Sequence, residues 1–436
     1  MAYSIYRTRV AGLLTSPSSI EEEQRIWDKV VAENIFVICK TPMAKSITKR
    51  TLIGFRKAKV NTRYFEDLIN QIKNKPEHFI KQVEKFVSER IGIKDMKFNA
   101  VVGNPPYQLV GGSGGTNDSP IYQYFCQVAK KITPQYISLI IPSRWFAAGR
   151  DNLLGDFRKQ MLNDGNVRKL VTFDDSKVLF SNVEIKGGCC YYIEDLNYKG
   201  DCEYTLVESE SVQTERISLN AFDVLIRHPR LAKIVKKIMD IIKDAPCVDS
   251  IISSDTPFGI PTKPTNNAKT QFTLTPHKID DNSVALYYVE DLKRCIAYVD
   301  RHSIKKNYQD IDKPKAFIPE AGGSGNDTKV LGNPEYAPAN SVCSQSYLYA
   351  AFSSDEEAIN FTKYIRTRFL RVLVSAKKIT QHATNRVYSY VPLQDFTNRS
   401  DIDWNKSIHE IDQQLYAKYN LSEDEIEFIE KMIKPM

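Results

Sequence analysis

FNAVVGNPPYQ, residues 98–108, is the stretch that decides how this chain reads. Residues 96–103 (MKFNAVVG) form a short apolar run that stops at Gly103, the pattern of a strand buried in a parallel sheet. Asn104-Pro105-Pro106-Tyr107 follows at once. Proline has no N–H to give a ladder, so the strand must end there. The same two prolines stiffen the turn and leave the Pro105 carbonyl without a competing donor. Asn104 adds a side-chain carbonyl, and Tyr107 adds an aromatic face. Two acceptors beside a flat apolar surface suit a planar ring that carries an amino group. Ligands of α/β proteins bind beyond the C-terminal ends of strands, where this turn sits. A near copy, Gly332-Asn333-Pro334-Glu335-Tyr336, follows no strong strand and has Glu335 at the second proline position, so it is expected to be unrelated.

Working outward, strands and helices alternate. Ser19 with Glu22 makes a capping-box pattern ahead of a helix over 18–32. Residues 34–39 (NIFVIC) read as a short apolar strand, and Pro42 opens a helical stretch with basic residues on its outer side. Residues 63–90 read as two amphipathic helices, with Phe65, Leu68, Ile69 and Ile72 at helical spacing. Beyond the turn come a helix over 121–132, a strand over 136–142 (YISLIIP), a helix over 153–163 and a strand over 167–173. A hairpin is predicted over 180–194, followed by a short strand over 202–207. This order predicts an α/β core with a mostly parallel sheet. After residue 225 the texture changes to one strongly amphipathic helix (230–244), then short strands among polar loops, then a helical tail. The predicted domains are 1–225, a catalytic core; 226–246, a linker helix; 247–400, a mixed α+β domain; and 401–436, a helical tail.

Composition excludes several classes. A hydrophobic fraction of 42% and a charged fraction of 26% are ordinary for a soluble globular chain of 436 residues. The apolar runs are strand-sized, far short of the roughly 18–20 residues of a spanning helix. The N-terminus is too polar for a signal peptide, so a cytoplasmic location is expected. The eight cysteines form no CxxC pair and the six histidines no HxxxH or HExxH pattern, so no zinc ribbon, disulfide framework or catalytic metal is expected. A net charge of +7 permits a polyanionic partner without demanding one.

Residues 98–108 resemble motif IV of the gamma-type adenine-N6 DNA methyltransferases of restriction–modification systems. Residues 122–129 and 138–149 (SLIIPSRWFAAG) are similar to the next two core segments. Residues 179–195 (LFSNVEIKGGCCYYIED) resemble motif VIII. The long C-terminal stretch is similar to the target-recognition region of large type IIG-like modification methylases. The resemblance implies a Rossmann-like methyltransferase core, incomplete at its N-terminus, joined to a target-recognition domain and C-terminal helices. It implies S-adenosylmethionine as methyl donor, double-stranded DNA as substrate and an adenine flipped out of the duplex, because its amine is unreachable in the stack. The catalytic group would be Asn104, Pro105, Pro106 and Tyr107. The Asn104 and Pro105 carbonyls would accept from the N6 amine and localise its lone pair, and the base would stack on Tyr107 with Phe180 as a second stacking residue.

The chain also departs from that pattern. The family's Gly-rich cofactor motif should precede residue 30, and MAYSIYRTRVAGLLTSPSS contains no such turn. The next strand of the family ends in an acidic residue, where this chain has Cys39 and Lys40; Glu33 comes too early. Two Gly-rich segments, 111–115 (GGSGG) and 318–327 (IPEAGGSGND), are expected to be loops. The cofactor-binding residues are thus unknown, and two alternatives stay open: a truncated form, or a split enzyme in which a second polypeptide supplies that motif. A restriction subunit is a further partner to consider. Lys377, Lys378 and Arg386, in a segment that mixes cations with amides, are the DNA-contact candidates. Two other readings stay open: a DNA-specificity module without transfer activity, and a restriction nuclease. The last ranks lowest, because no convincing PD-(D/E)xK carboxylate pair precedes the turn.

Overall fold

The computed structural model describes residues 1–13, 19–92, 97–109, 119–147, 151–180, 185, 187–208, 211–265, 272–322, 328–378 and 382–436. These form two compact units. One comprises Met1–Ile141 with Tyr192–Tyr198, the other Pro142–Tyr191 with Lys199–Met436. Among the described residues, no helix is long and apolar enough to cross a membrane.

The first unit begins with helices Ala2–Leu13 and Ile20–Asn34. Ser19 caps the second, its hydroxyl accepting from the Glu22 N–H at 3.2 Å, as the sequence pattern predicts. Strand Phe36–Cys39 follows, then helix Pro42–Ile53, with Thr41 as its cap and Pro42 in its first turn. Strand Asn61–Tyr64 pairs with Phe36–Cys39 in parallel, Phe36 opposite Asn61 and Cys39 opposite Tyr64. The helical reading from residue 63 is thus corrected at its start: Asn61–Tyr64 is a strand, and helices Leu68–Asn74 and Pro76–Ile91 come after it. Helical periodicity alone could not place that boundary, because a four-residue strand is too short to show its own period. The core of this unit gathers Phe65, Ile72, Phe79, Val83, Phe86 and Val128.

Strand Ala100–Gly103 pairs in parallel with Tyr136–Pro142, in a register that sets Gly103 opposite Leu139. The strand order of the largest sheet is Val212–Ile217, Cys202–Val207, Val167–Phe173, Cys189–Asp195, Tyr136–Pro142, Ala100–Gly103. Val167–Phe173 pairs Cys202–Val207 in parallel, and Cys202–Val207 pairs Val212–Ile217 antiparallel. The sheet is therefore mixed, with helices between its parallel strands, the α/β core that the alternation predicts. One detail is corrected. Ala100–Gly103 is an edge strand, with Val102 half exposed, although its sequence reads as a buried run.

Of the hairpin expected over 180–194, strand Cys189–Asp195 is present, and residues 181–184 and 186 lie outside the described residues. Further on, helix Pro229–Ile242 buries Leu231, Ile234, Val235 and Ile238 in a core that also holds Phe361, Phe369, Tyr388 and Ile411. A second cluster forms around Phe258, Leu286, Phe317 and Tyr349, between two three-stranded sheets. Helices Ile408–Lys418 and Glu423–Met432 close the chain, each opened by a full capping box, at Ser407 with Glu410 and at Ser422 with Glu425.

Candidate active site

Asn104 to Tyr107 leave the C-terminal end of strand Ala100–Gly103 with no regular structure of their own. Pro105 is buried, Pro106 and Tyr107 are half-buried, and Asn104 is exposed. The turn is held from behind. The Ile121 N–H donates to the Tyr107 carbonyl at 3.0 Å, and the next residues pair antiparallel, Gln108 with Pro120 and Leu109 with Ser119. Gln123, buried, donates to the Pro120 carbonyl at 3.0 Å. Among the described residues no donor reaches the Asn104 side chain or the Pro105 carbonyl. The two acceptors needed to hold an amino group are therefore both available, on a turn fixed by proline and by a hydrogen bond at its far end.

The near copy is built the other way. The Asn333 carbonyl accepts from Arg294 at 2.6 Å and the Pro334 carbonyl from Arg366 at 3.1 Å. Tyr336 donates to Asp355 at 2.6 Å and lies in strand Glu335–Ala337. Burial and then the Asp355 carboxylate push the Tyr336 hydroxyl up to about 12. Both main-chain carbonyls and the tyrosine hydroxyl are thus spent on the chain itself.

The other candidates scatter. Phe180 is half-buried in the second unit, its N–H donating to the Ser176 carbonyl at 2.9 Å. Lys377 and Lys378 are turned inward, only 5% and 4% exposed. The Lys377 ammonium bonds Asp223 at 3.0 Å and Ser389 at 2.6 Å, and lies 4.1 Å from the centre of the Tyr390 ring. Lys378 donates to the Gly322 carbonyl at 2.6 Å. A phosphate contact for these two is thereby corrected to an internal role, since both ammonium groups are buried and bonded within the fold, Lys377 to a carboxylate and Lys378 to a carbonyl. Burial raises the Asp223 carboxyl, but the Tyr390 hydroxyl and Lys377 outweigh it and hold the group below the ordinary carboxylate range. Arg386 is exposed. Residues 379–381 of the same segment lie outside the described residues.

A methyl-donor site is not assembled by the described residues. Helices Ala2–Leu13 and Ile20–Asn34 occupy the stretch where a strand and Gly-rich turn are expected. Strand Phe36–Cys39 ends in a buried thiol, 3.8 Å from the Thr48 hydroxyl, followed by exposed Lys40. Glu33 faces Arg9 at 3.5 Å from the last turn of its helix. Among the described residues that follow this strand directly, Lys40 and Thr41, there is no carboxylate to hold ribose hydroxyls. The 111–115 segment lies outside the described residues, as does 323–327. Gly322 has its own structural reason, because a Cβ there would come within 2.3 Å of the Gly332 nitrogen.

One cluster escaped the sequence altogether. Asp174, Glu208 and His228 bring ligand-type atoms within 4.8 Å of one another, beside a cavity of about 1080 Å³ in the second unit. Their spacing in the chain carries no signal. Arg227 pairs with Asp174 at 3.0 Å and Ser211 donates to Glu208 at 2.9 Å, so both carboxylates have partners in the protein.

A turn with two open acceptors after a parallel strand is the geometry the comparisons bear on. Residues 33–180 match the Eco57I restriction-modification methylase family. The matched segment contains the whole Asn104–Tyr107 turn and ends at Phe180. A curated relative, an uncharacterized adenine-specific methylase of Mycoplasma pneumoniae (strain ATCC 29342 / M129 / Subtype 1), is 36% identical over 121 residues, 27% of this chain and 28% of the relative. The chain thus spans little more than a quarter of that relative. Among solved structures, the type IIL restriction-modification enzyme MmeI in complex with DNA is similar at a TM-score of 0.48 and 9% identity, over 99% of this chain and 71% of that one. The type IIG restriction endonuclease BpuSI is similar at a TM-score of 0.33 and 10% identity, over 99% and 67%.

Proposed function

We propose that this chain is the base-binding and DNA-recognition part of an adenine-N6 DNA methyltransferase of a restriction–modification system. The observation that carries the proposal is the turn at Asn104–Tyr107, where no donor among the described residues reaches the Asn104 side chain or the Pro105 carbonyl. The match of residues 33–180 to the Eco57I methylase family supports it. In this reading an adenine is extruded from double-stranded DNA. Its N6 amine donates one hydrogen bond to the Asn104 side-chain oxygen and one to the Pro105 carbonyl. Both bonds draw the nitrogen lone pair out of conjugation and aim it. Tyr107 stacks on the base, a contact worth about 1–3 kcal/mol, and Phe180 is assigned to the opposite face. Positioning of this kind can supply about 7–11 kcal/mol of a barrier.

S-adenosylmethionine is the donor that the family uses. Among the described residues, those at the end of Phe36–Cys39 do not fit its ribose. The test is methyl transfer in cells that lack adenine methylation. N6-methyladenine at a fixed DNA sequence is expected when the chain is expressed with the genes that flank its own, and its loss is expected with Asn104→Ala. Undiminished methylation in that variant would remove the turn from the reaction.

A further inference from the structure

The hairpin formed by strands Ser283–Glu290 and Lys293–Asp300 closes on a residue that its turn does not favour. The strands pair from Ser283 opposite Asp300 to Glu290 opposite Lys293, so Asp291 and Leu292 alone make the turn. Both have positive φ, 46° and 63°, as in the two-residue turn whose twist matches that of the strands. Such a turn favours Asp-Gly or Asn-Gly, because the left-handed region crowds a Cβ. Asp291 suits the first position. Leu292 stands where glycine is the unstrained choice, and it is 99% exposed. Val330 is the other purely apolar residue with positive φ among the described ones, at 63°. It is 6% exposed and belongs to the core that holds Phe361 and Tyr388, so packing offsets its strain. Leu292 has no such offset among the described residues.

The hairpin that carries Leu292 is rigid. Val284, Leu286 and Val299 lie in the buried cluster around Phe258 and Phe317. A third strand, Ser341–Cys343, pairs in parallel with Ala285–Tyr287. Beyond it the hairpin continues for three rungs, Tyr288 with Cys295, Val289 with Arg294 and Glu290 with Lys293. Arg294 braces these rungs, donating to the Asn333 carbonyl at 2.6 Å and facing Glu335 at 3.6 Å. A fixed two-stranded ribbon thus ends in one strained aliphatic side chain that faces solvent. Backbone strain that packing leaves uncompensated is a mark of function.

We infer that Leu292 is a wedge: when the chain binds duplex DNA, it enters the base stack and fills the space that a displaced base leaves. The inference rests on the base-extrusion reading above and names a further positioning residue for it. The major groove, about 12 Å wide, admits a two-stranded ribbon. Leucine is among the apolar side chains that proteins insert between base steps. Extrusion of an adenine breaks its stacking and opens a void. An aliphatic side chain in that void restores contact with the neighbouring bases and opposes the return of the extruded one, which glycine cannot do. Glu290 and Asp291, both exposed, are repelled by phosphates along the groove edges. On the groove floor a carboxylate accepts from the cytosine amine. The tip therefore suits base edges rather than the backbone.

The test compares the full chain with Leu292→Gly on two probes, an intact DNA duplex and the same duplex with one tetrahydrofuran abasic site. The midpoint of denaturant unfolding is expected not to fall in the variant, because glycine adopts this φ without strain. The wild type is expected to bind the abasic duplex about tenfold more tightly, since its void is already open. Leu292→Gly is expected to lose that preference, and Leu292→Met, which keeps an apolar wedge, to retain it. An undiminished preference in Leu292→Gly overturns the inference, as does a wild type that binds both duplexes alike. A wild type that self-associates in sedimentation, with Leu292→Gly dispersing it, assigns the tip to a second copy and overturns the wedge as well. Asn104→Ala separates the two proposals, because it should lose methyl transfer while keeping the abasic preference. Failure of the wild type to bind any duplex overturns both, whereas normal methylation and normal abasic preference in Leu292→Gly overturn the wedge alone.

Discussion

Asn104–Tyr107 and Asn333–Tyr336 differ in sequence by one residue and in structure by what their carbonyls do. In the second segment, Arg294 and Arg366 take the carbonyls of Asn333 and Pro334, and Asp355 takes the Tyr336 hydroxyl. In the first, the Ile121 N–H anchors the Tyr107 carbonyl, and among the described residues no donor takes the Asn104 side chain or the Pro105 carbonyl. A tetrapeptide acquires chemistry from the groups left over once the fold has been satisfied. An open acceptor at the end of a strand is costly to keep without a ligand or water, which makes it a better mark of function than the letters of the motif.

The largest effect should follow from closing that difference. Asn104→Ala removes one of two oriented acceptors, and loss of one such bond typically costs about 10²–10³ in rate. Label transfer to DNA should fall by that factor, whereas Asn333→Ala should keep it within about threefold, since its main-chain bond to Arg294 survives the substitution. Equal losses at both positions would break the contrast. Tyr107→Ala should weaken binding of an extruded base by about 1–3 kcal/mol, read as a rise in KM for DNA, with Tyr107→Phe restoring it. Tyr336→Phe should leave KM unchanged and lower thermal stability by about 1 kcal/mol, the worth of its bond to Asp355.

The same contrast runs through the C-terminal cations. Lys377 is sealed, bonded to Asp223 and Ser389 and set over Tyr390. Lys377→Ala should destabilise the chain by about 1–3 kcal/mol, measured by denaturant unfolding, with no change in the salt dependence of DNA binding. Asp223 sets the pH dependence. Its folded carboxyl is held below the unfolded value, so its contribution to stability is complete above the ordinary carboxylate range and is lost as pH falls through the folded value. The wild type should therefore lose stability on acidification more steeply than Lys377→Ala, whose Asp223 has lost part of what depresses it. Parallel acid limbs in the two proteins would show that the pair contributes nothing.

Local patterns were legible where one short stretch held all the physics. The cap at Ser19, the run ending at Gly103 and the proline stop after it each follow from adjacent residues. What the sequence hid depends on partners far along the chain. Lys377 looks like a solvated cation until Asp223, 154 residues away, is brought to it. The Asp174, Glu208 and His228 network has no spacing to detect. The edge position of Ala100–Gly103 was misread for an instructive reason, because its composition is that of a strand with two neighbours and the described chain supplies one.

The smallest effect should come from Arg386, the candidate that stays exposed after Lys377 and Lys378 turn inward. If it meets a phosphate, Arg386→Ala removes one counterion-releasing contact. The slope of log K against log salt should then shallow by about 1, with affinity falling by less than about tenfold and equally for all sequences. If instead it reads a base edge, discrimination at one position of the site should relax by about 1–3 kcal/mol while the slope hardly moves. Stability should stay within about 0.5 kcal/mol in either case, because Arg386 is an exposed side chain. A loss of stability comparable to that of Lys377→Ala would place Arg386 among the internal cations and empty the whole 377–386 segment of DNA contacts.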